Sequence, residues 1–242
     1  MRDFCRSVEV GRLVGLWRYP VKSMAAEPLD QVDVSWFGLA GDRRWAFLRD
    51  RVMGSGFPWL TIREVGPMQH YRPKLKDPGK PDGCQIVVQT PGGRVLAVDD
   101  PELAAELGPG VCAIKQNRGV FDTFPLSLIT TQTISSLSTQ VGFDLHVQRF
   151  RPNFLVQVDG NEAYPEDAWL GRVLRIGSMR FRVDKRDGRC VVITVDPETS
   201  QRQNTILRTV AQERQGCLGV YGTPVEPGMV SLYDRVFLEV WR

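Results

Sequence analysis

Hydrophobic and polar positions alternate along most of this chain with a period of two, the spacing of strands that bury one face. In "LDQVDVSWFG" residues Val32, Val34 and Trp36 share a face, and in "RRWAFLRD" Trp45 and Phe47 do the same. The run "VGRLVGLW" is strand-like, and the alternation recurs at 84–89, 93–98, 172–176 and 179–184, mostly closed by Gly or Pro turns. Val191, Val192 and Ile193 read as a buried strand ending in an Asp-Pro turn. Helical spacing with proper ends occurs three times. "DDPELAAELG" has an Asp cap, Pro101 in its first turn and Gly108 as a stop; "TQTISSLSTQVG" closes on Gly142; "NTILRTVAQERQG" has Asn204 as cap and Gly216 as stop. The segment "RPKLKDPGKPDG" at 72–83 reads as a loop. These proportions predict a mainly β fold, α+β at the margins, with a domain boundary around residues 105–120.

Composition narrows the function classes. A chain of 242 residues that is 42% hydrophobic can bury a core as one large β domain or two small ones. Its 31 basic and 28 acidic residues are interspersed, so the net charge of +3 forms no basic stripe and nucleic acid is not an expected partner. Five scattered cysteines, Cys5, Cys84, Cys112, Cys190 and Cys217, with no C-x-x-C pair and only two histidines, argue against a disulfide framework and a zinc cage and fit a reducing compartment. No run of about 18 apolar residues predicts a membrane span, and the start "MRDFCRSVEV" lacks a signal-peptide core, so a soluble, cytoplasmic protein is expected.

Several polar residues are not required by strand logic. Cys190 in "DGRCVVITVDP" stands where a polar loop enters an apolar run, beside Arg189. It is either a structural cysteine or a thiol whose thiolate form the neighbouring guanidinium favours. Lys22 and Ser23 follow a Tyr-Pro break at a strand end, an exposed turn or an ammonium-hydroxyl pair that holds phosphate. Arg43 and Arg44 follow a Gly-bracketed turn, and alternation predicts one facing water and one facing inward. Thr130, Thr131 and Thr133 lie at a strand-to-helix junction, where capping and anion binding are compatible. In "VQRFRPNFLVQV", Arg149 and Arg151 at spacing two share one face of an extended segment, and Asn153 opens a strand; the arginines are either an exposed pair or inward cations needing an anion that no nearby acidic cluster supplies.

In order and rough spacing, "YPVKS", "GLAGDRRW", "RFRPN", "EDAWLGRVLRIG", "GRCVVITVDPET" and "LGVYGTPVEPGMVSLYD" resemble the motifs of MOSC-domain proteins, the family named for the molybdenum cofactor sulfurase C-terminal domain. The resemblance is similar in style to amidoxime-reducing components and to bacterial proteins that detoxify hydroxylaminopurine. It implies two β-barrel-like portions with a few short helices, an N-terminal β-barrel domain over 8–105 and a MOSC domain over 115–241, with the cofactor site in the cleft between them. It implies a molybdenum–molybdopterin cofactor with Cys190 as the metal ligand, and Lys22, Ser23, Arg43, Thr130, Thr131, Arg149, Arg151 and Asn153 as contacts to its phosphate and pterin edges. The implied reaction is reduction of a small N-hydroxylated substrate; a non-catalytic cofactor or sulfur carrier is the alternative. Asp196 either orients a proton-carrying water or caps the Pro197 turn. Many relatives carry C-x-R-C, whereas the first cysteine position here is Asp187. The chain ends at Arg242, without a redox or pyridoxal-phosphate domain, so electrons are expected from an external electron-transfer protein of flavoprotein, ferredoxin or cytochrome b5 type.

Overall fold

Seven strands hydrogen-bond side by side into a closed barrel. The structure, a computed structural model, describes residues 4–49 and 58–241. Around the barrel the strands run Phe154–Gln157, Leu126–Thr130, Cys217–Glu226, Met179–Gly188, Val173–Ile176, Arg235–Trp241 and Phe4–Arg18, and the last pairs back with the first. Only Leu126–Thr130 and Phe154–Gln157 are parallel neighbours, which requires the crossover that a helix between them provides.

Closure depends on the strand Phe4–Arg18. Its first part pairs with Arg235–Trp241 and its later part with Phe154–Gln157, with register breaks before Gly11 and before Gly15. A Cβ on Gly11 would lie 2.2 Å from the Gln157 carbonyl oxygen, so the strand turns this corner where a side chain does not fit. Alternate residues fill the interior: Leu13, Leu16, Phe154, Val156, Leu174, Phe181, Val183 and Val220 are all buried there. The Phe154 and Phe181 rings pack tilted at 6.1 Å.

A second β portion lies beside the barrel. It comprises the antiparallel sheet Arg72–Leu75, Ile86–Gln89, Val95–Ala97 and the ribbon Trp45–Leu48 with Cys112–Lys115. Helix α1 (Pro101–Leu107), capped by Asp100, covers it, and Phe47, Ile62, Met68, Val88 and Leu103 form its core. Helices α2 (Thr131–Val141) and α3 (Asn204–Arg214) pack on the barrel's outside, burying Leu137, Ile206 and Val210 against Ile129 and Leu218. The fold is mainly β, as the alternation predicts.

Three local expectations are corrected. Residues 72–75 form a strand, not a loop; Pro73 is tolerated because the strand lies at a sheet edge. Trp36 does not share the buried face of Val32 and Val34: the strand ends at Ser35 and the indole is 60% exposed in the turn. Val191–Thr194 is a 3-10 turn rather than a strand. The apolar run is divided between two cores, with Ile193 packing under α2 and α3 and Val195 joining the second β portion. A strand cannot send residues two apart to opposite sides, because such residues share a face.

Candidate functional site

A cavity of about 300 Å3 opens in the cleft between the barrel end and the second β portion. Lys22 and Ser23 enter it just after the first strand, Arg43 from the turn that precedes Trp45–Leu48, and Arg63 from the second portion. Asp122 comes from the link at 120–125, Arg149, Arg151 and Asn153 precede the strand Phe154–Gln157, and Asp187 through Cys190 lie at the end of Met179–Gly188. Six basic side chains (Lys22, Arg43, Arg63, Arg149, Arg151, Arg189) line it against two carboxylates (Asp122, Asp187), so it is built for an anion. Ser23, Arg43 and Arg151 adopt left-handed backbone at φ 68°, 50° and 51°. Such conformations cost about 1–3 kcal/mol each and mark positions held by their surroundings.

The cationic wall is organised on Tyr19 and Asp42. The Arg43 and Arg151 guanidiniums stack on the Tyr19 ring at 4.4 and 4.3 Å from its centroid. Asp42, fully buried, accepts from the Tyr19 backbone N–H at 2.7 Å, from Arg43 Nη1 at 2.5 Å and from Asn153 Nδ2 at 3.3 Å. Arg43 Nη2 donates to the Arg151 carbonyl and Arg151 Nη1 to the Met24 carbonyl, but the buried Arg151 Nη2 has no hydrogen-bond partner. Burial, with Arg43 nearby, pulls the Arg151 guanidinium down to about 10, the direction expected where a counter-anion is missing. Asn153 also donates to the Trp17 carbonyl and accepts from the Ser127 backbone N–H, tying two barrel strands together.

On the opposite wall Lys22 donates to the Val120 carbonyl at 3.0 Å and to Asp122 at 2.5 Å. Burial lowers the Lys22 ammonium from its ordinary value, with Asp122 opposing. Burial alone would raise Asp122, but Lys22, Arg63 and Arg43 outweigh it and hold the carboxyl below the usual range. Cys190 is half-buried at the mouth of the 3-10 turn, where its Sγ accepts from Arg63 Nη2 at 3.4 Å. Arg189 Nε donates to the Leu218 carbonyl and its Nη1 to that of Phe150. Gly219, at φ +73°, makes room for this: a Cβ there would meet the Leu128 carbonyl oxygen at 2.8 Å and Arg189 Nη2 at 3.2 Å.

The structure therefore brings Lys22, Ser23, Arg43, Arg149, Arg151, Asn153 and Cys190 to one cavity. Arg149 and Arg151 do not share a strand face, because Val147–Arg149 is a 3-10 turn and Arg151 is left-handed. Nor does Arg149 lack an acid: it donates to Asp196, Gln203 and the Thr194 carbonyl. Asp196 lies outside the cavity wall and accepts from the Glu198 and Thr199 N–H groups, which is the turn-capping geometry at Pro197. Arg43 and Arg44 both point inward, since they sit in a turn rather than a strand; Arg44 donates to Asp82 at 2.7 Å.

Thr130 and Thr131 do not line the cavity. Thr130 caps α2 and, with Thr133, donates a hydroxyl hydrogen bond of 2.7 Å to the fully buried Glu166. Burial raises the Glu166 pKa above its ordinary 4.5, against those hydroxyls. The folded state then binds more protons than the unfolded one, so this contribution is present at low pH and is lost as pH rises from about 4.5 through the raised native value. In urea unfolding, the stability difference between Glu166→Gln and the parent should move in the variant's favour as pH rises above about 4.5. A pH-independent difference would contradict this assignment.

Sequence reasoning missed Tyr19, Asp42, Arg63 and Asp122. Asp42 in "GDRRW" had a signal, a lone acid beside two arginines, whereas Arg63 and Asp122 carry none that separates them from surface charges. Among the described residues no cluster of three or more His, Cys, Asp or Glu is placed to hold a metal ion, and no helix is long and apolar enough to cross a membrane.

Two family models match consecutive parts of the chain. The MOSC N-terminal beta barrel domain matches residues 10–113 and the MOSC domain residues 115–237. Mitochondrial amidoxime reducing component 2 of Macaca fascicularis is 35% identical over 246 residues, covering 80% of this chain and 69% of that protein. The molybdenum cofactor sulfurase of Drosophila mojavensis is 23% identical over 250 residues, covering 87% of this chain and 31% of that protein. The crystal structure of the YUAD protein from Bacillus subtilis superposes with a TM-score of 0.54 at 11% identity, over 98% of this chain and 99% of that one, a likeness of fold.

Proposed function

The chain belongs to the MOSC-domain family, and from that premise we propose that it is a molybdenum cofactor-dependent oxidoreductase that reduces N-hydroxylated compounds such as amidoximes, hydroxylamines and N-hydroxylated bases. The observation that carries this reading is one cavity holding a cysteine thiol beside a cationic wall in which the buried Arg151 Nη2 has no partner. The donor set suits molybdopterin: a soft thiolate for a metal otherwise held by dithiolene sulfur, and guanidinium and ammonium groups for a phosphate. When bound, the molybdenum centre supplies two-electron removal of oxygen from an N–OH group.

The chain's own residues do the rest. Cys190 serves as the metal ligand, and Arg63 orients its sulfur with the 3.4 Å hydrogen bond. Arg43, Arg151, Lys22 and Ser23 grip the cofactor's anionic end, with the Tyr19–Asp42 platform fixing both arginines before the cofactor arrives. Arg149, tied to Asp196, Gln203 and the Thr194 carbonyl, holds the segment that follows Cys190 in place. Asp122 stays ionised and offsets part of the positive charge. Electrons come from a separate electron-transfer protein.

The test is molybdenum and pterin content of the chain purified from a cofactor-competent host, followed by benzamidoxime reduction with an artificial donor. About one molybdenum per chain with turnover is expected. Tight cofactor binding without turnover would replace the enzyme with a cofactor or sulfur carrier, and absence of both components would remove the cofactor reading.

A further inference from the structure

Asp187 is 2% exposed on the cavity wall, three residues before Cys190, at the position where the family pattern has the first cysteine of C-x-R-C. A buried carboxylate is costly unless its oxygens are bonded. Here Oδ2 pairs with Arg189 at 2.9 Å, while Oδ1 has no hydrogen-bond partner. The Arg189 guanidinium is itself shared with the Leu218 and Phe150 carbonyls, so it compensates the charge only in part. The charged and titratable groups facing Asp187 are Arg189 from its own segment, Tyr221 from the strand Cys217–Glu226, Arg43 from the turn near Tyr19, and Asp122 from the 120–125 link.

Burial, reinforced by Asp122, pushes Asp187 up to about 6 against Arg189, Tyr221 and Arg43. The other carboxyl and the phenol on this wall each keep one protonation state near neutrality. Asp122 is held ionised by Lys22, Arg63 and Arg43, and Tyr221 is held protonated by burial and the Asp187 charge. Asp187 is thus the cavity carboxyl that gains and loses a proton in the working range.

Reduction of an N–OH compound breaks the N–O bond and consumes two electrons and two protons, leaving an N–H product and water. The electrons come from the external electron-transfer protein, which is oxidised; the protons must enter through the cavity. We propose that Asp187 is a catalytic residue that delivers a proton to the oxygen leaving the substrate nitrogen and is reprotonated from solvent. This rests on the reductase reading above.

The experiment uses molybdenum-loaded parent, Asp187→Asn and Asp187→Glu, with kcat for benzamidoxime reduction expressed per bound molybdenum. In the parent, kcat should fall about tenfold per pH unit above about 6, since the donor is the protonated form. Asp187→Asn should lose about a hundredfold at pH 6 and flatten the profile, and Asp187→Glu should recover part of both. A second readout needs no cofactor: in the cofactor-free Glu166→Gln chain, which lacks the other buried carboxyl with a raised value, an infrared C=O component should titrate near pH 6 and be absent once Asp187→Asn is added. Parental kcat and pH profile in Asp187→Asn would overturn the relay and leave the reductase reading standing. A molybdenum-loaded parent without turnover would overturn the reductase reading, and the relay with it, whatever the infrared titration shows.

Discussion

Replacing Cys190 with alanine is expected to lower benzamidoxime turnover more than a hundredfold while leaving the fold in place. Changes to groups that merely support a metal ligand typically cost about 10–100-fold, and loss of the ligand itself should exceed that. The fold should survive because Cys190 is half-buried at the head of a turn whose hydrogen bonds come from the backbone and from Thr194. Truncating one thiol there should cost about 1 kcal/mol or less. Turnover per chain, molybdenum content and a thermal melt by circular dichroism check the three parts together. The assignment fails if the alanine variant turns over like the parent.

Asp42→Ala should have the largest effect on stability, about 3–5 kcal/mol, read as a lower urea midpoint at unchanged slope. Asp42 is completely buried and accepts hydrogen bonds from a backbone N–H, a guanidinium and an amide that belong to three separate segments. Its removal leaves Arg43 buried beside Arg151 without its ion-pair partner, and two more donors lose an acceptor. Asp42→Asn retains an acceptor for the Tyr19 N–H and should lose less, which separates charge from hydrogen bonding. A shift under about 1 kcal/mol for the alanine variant would show that the platform is not what holds the two arginines.

Much of this fold is legible because its elements carry their own punctuation. The Asp100 cap, Pro101 and Gly108 bound α1, and Gly142 bounds α2 with left-handed backbone at φ 83°. The alternation at 172–176 and 179–184 corresponds to Val173–Ile176 and Met179–Gly188, because one face of each strand must fill the barrel. Legibility stops where a segment serves two cores at once. Val191 to Val195 has the composition of a strand, yet Ile193 and Val195 are drawn to different clusters and the backbone coils to satisfy both. The site follows the same rule. Lys22, Arg43 and Cys190 stand out by type and local setting, whereas Arg63 and Asp122 become site residues only when the second β portion and the link fold across the cleft. Thr130 looks like an anion contact in sequence because it ends a strand and begins a helix, but that junction faces Glu166.

The pairing of Phe4–Arg18 with Arg235–Trp241 also sets a timetable for synthesis. The barrel has no closed state until Arg235–Trp241 has left the ribosome, long after the strand Phe4–Arg18 with which it pairs. During that interval its unpaired edge is free to recruit other chains, a hazard that grows with the sequence distance over which strands must find each other. The glycine corner at residue 11 interrupts that edge. The residue that bends the finished barrel therefore also makes the nascent strand a poorer template for aggregation.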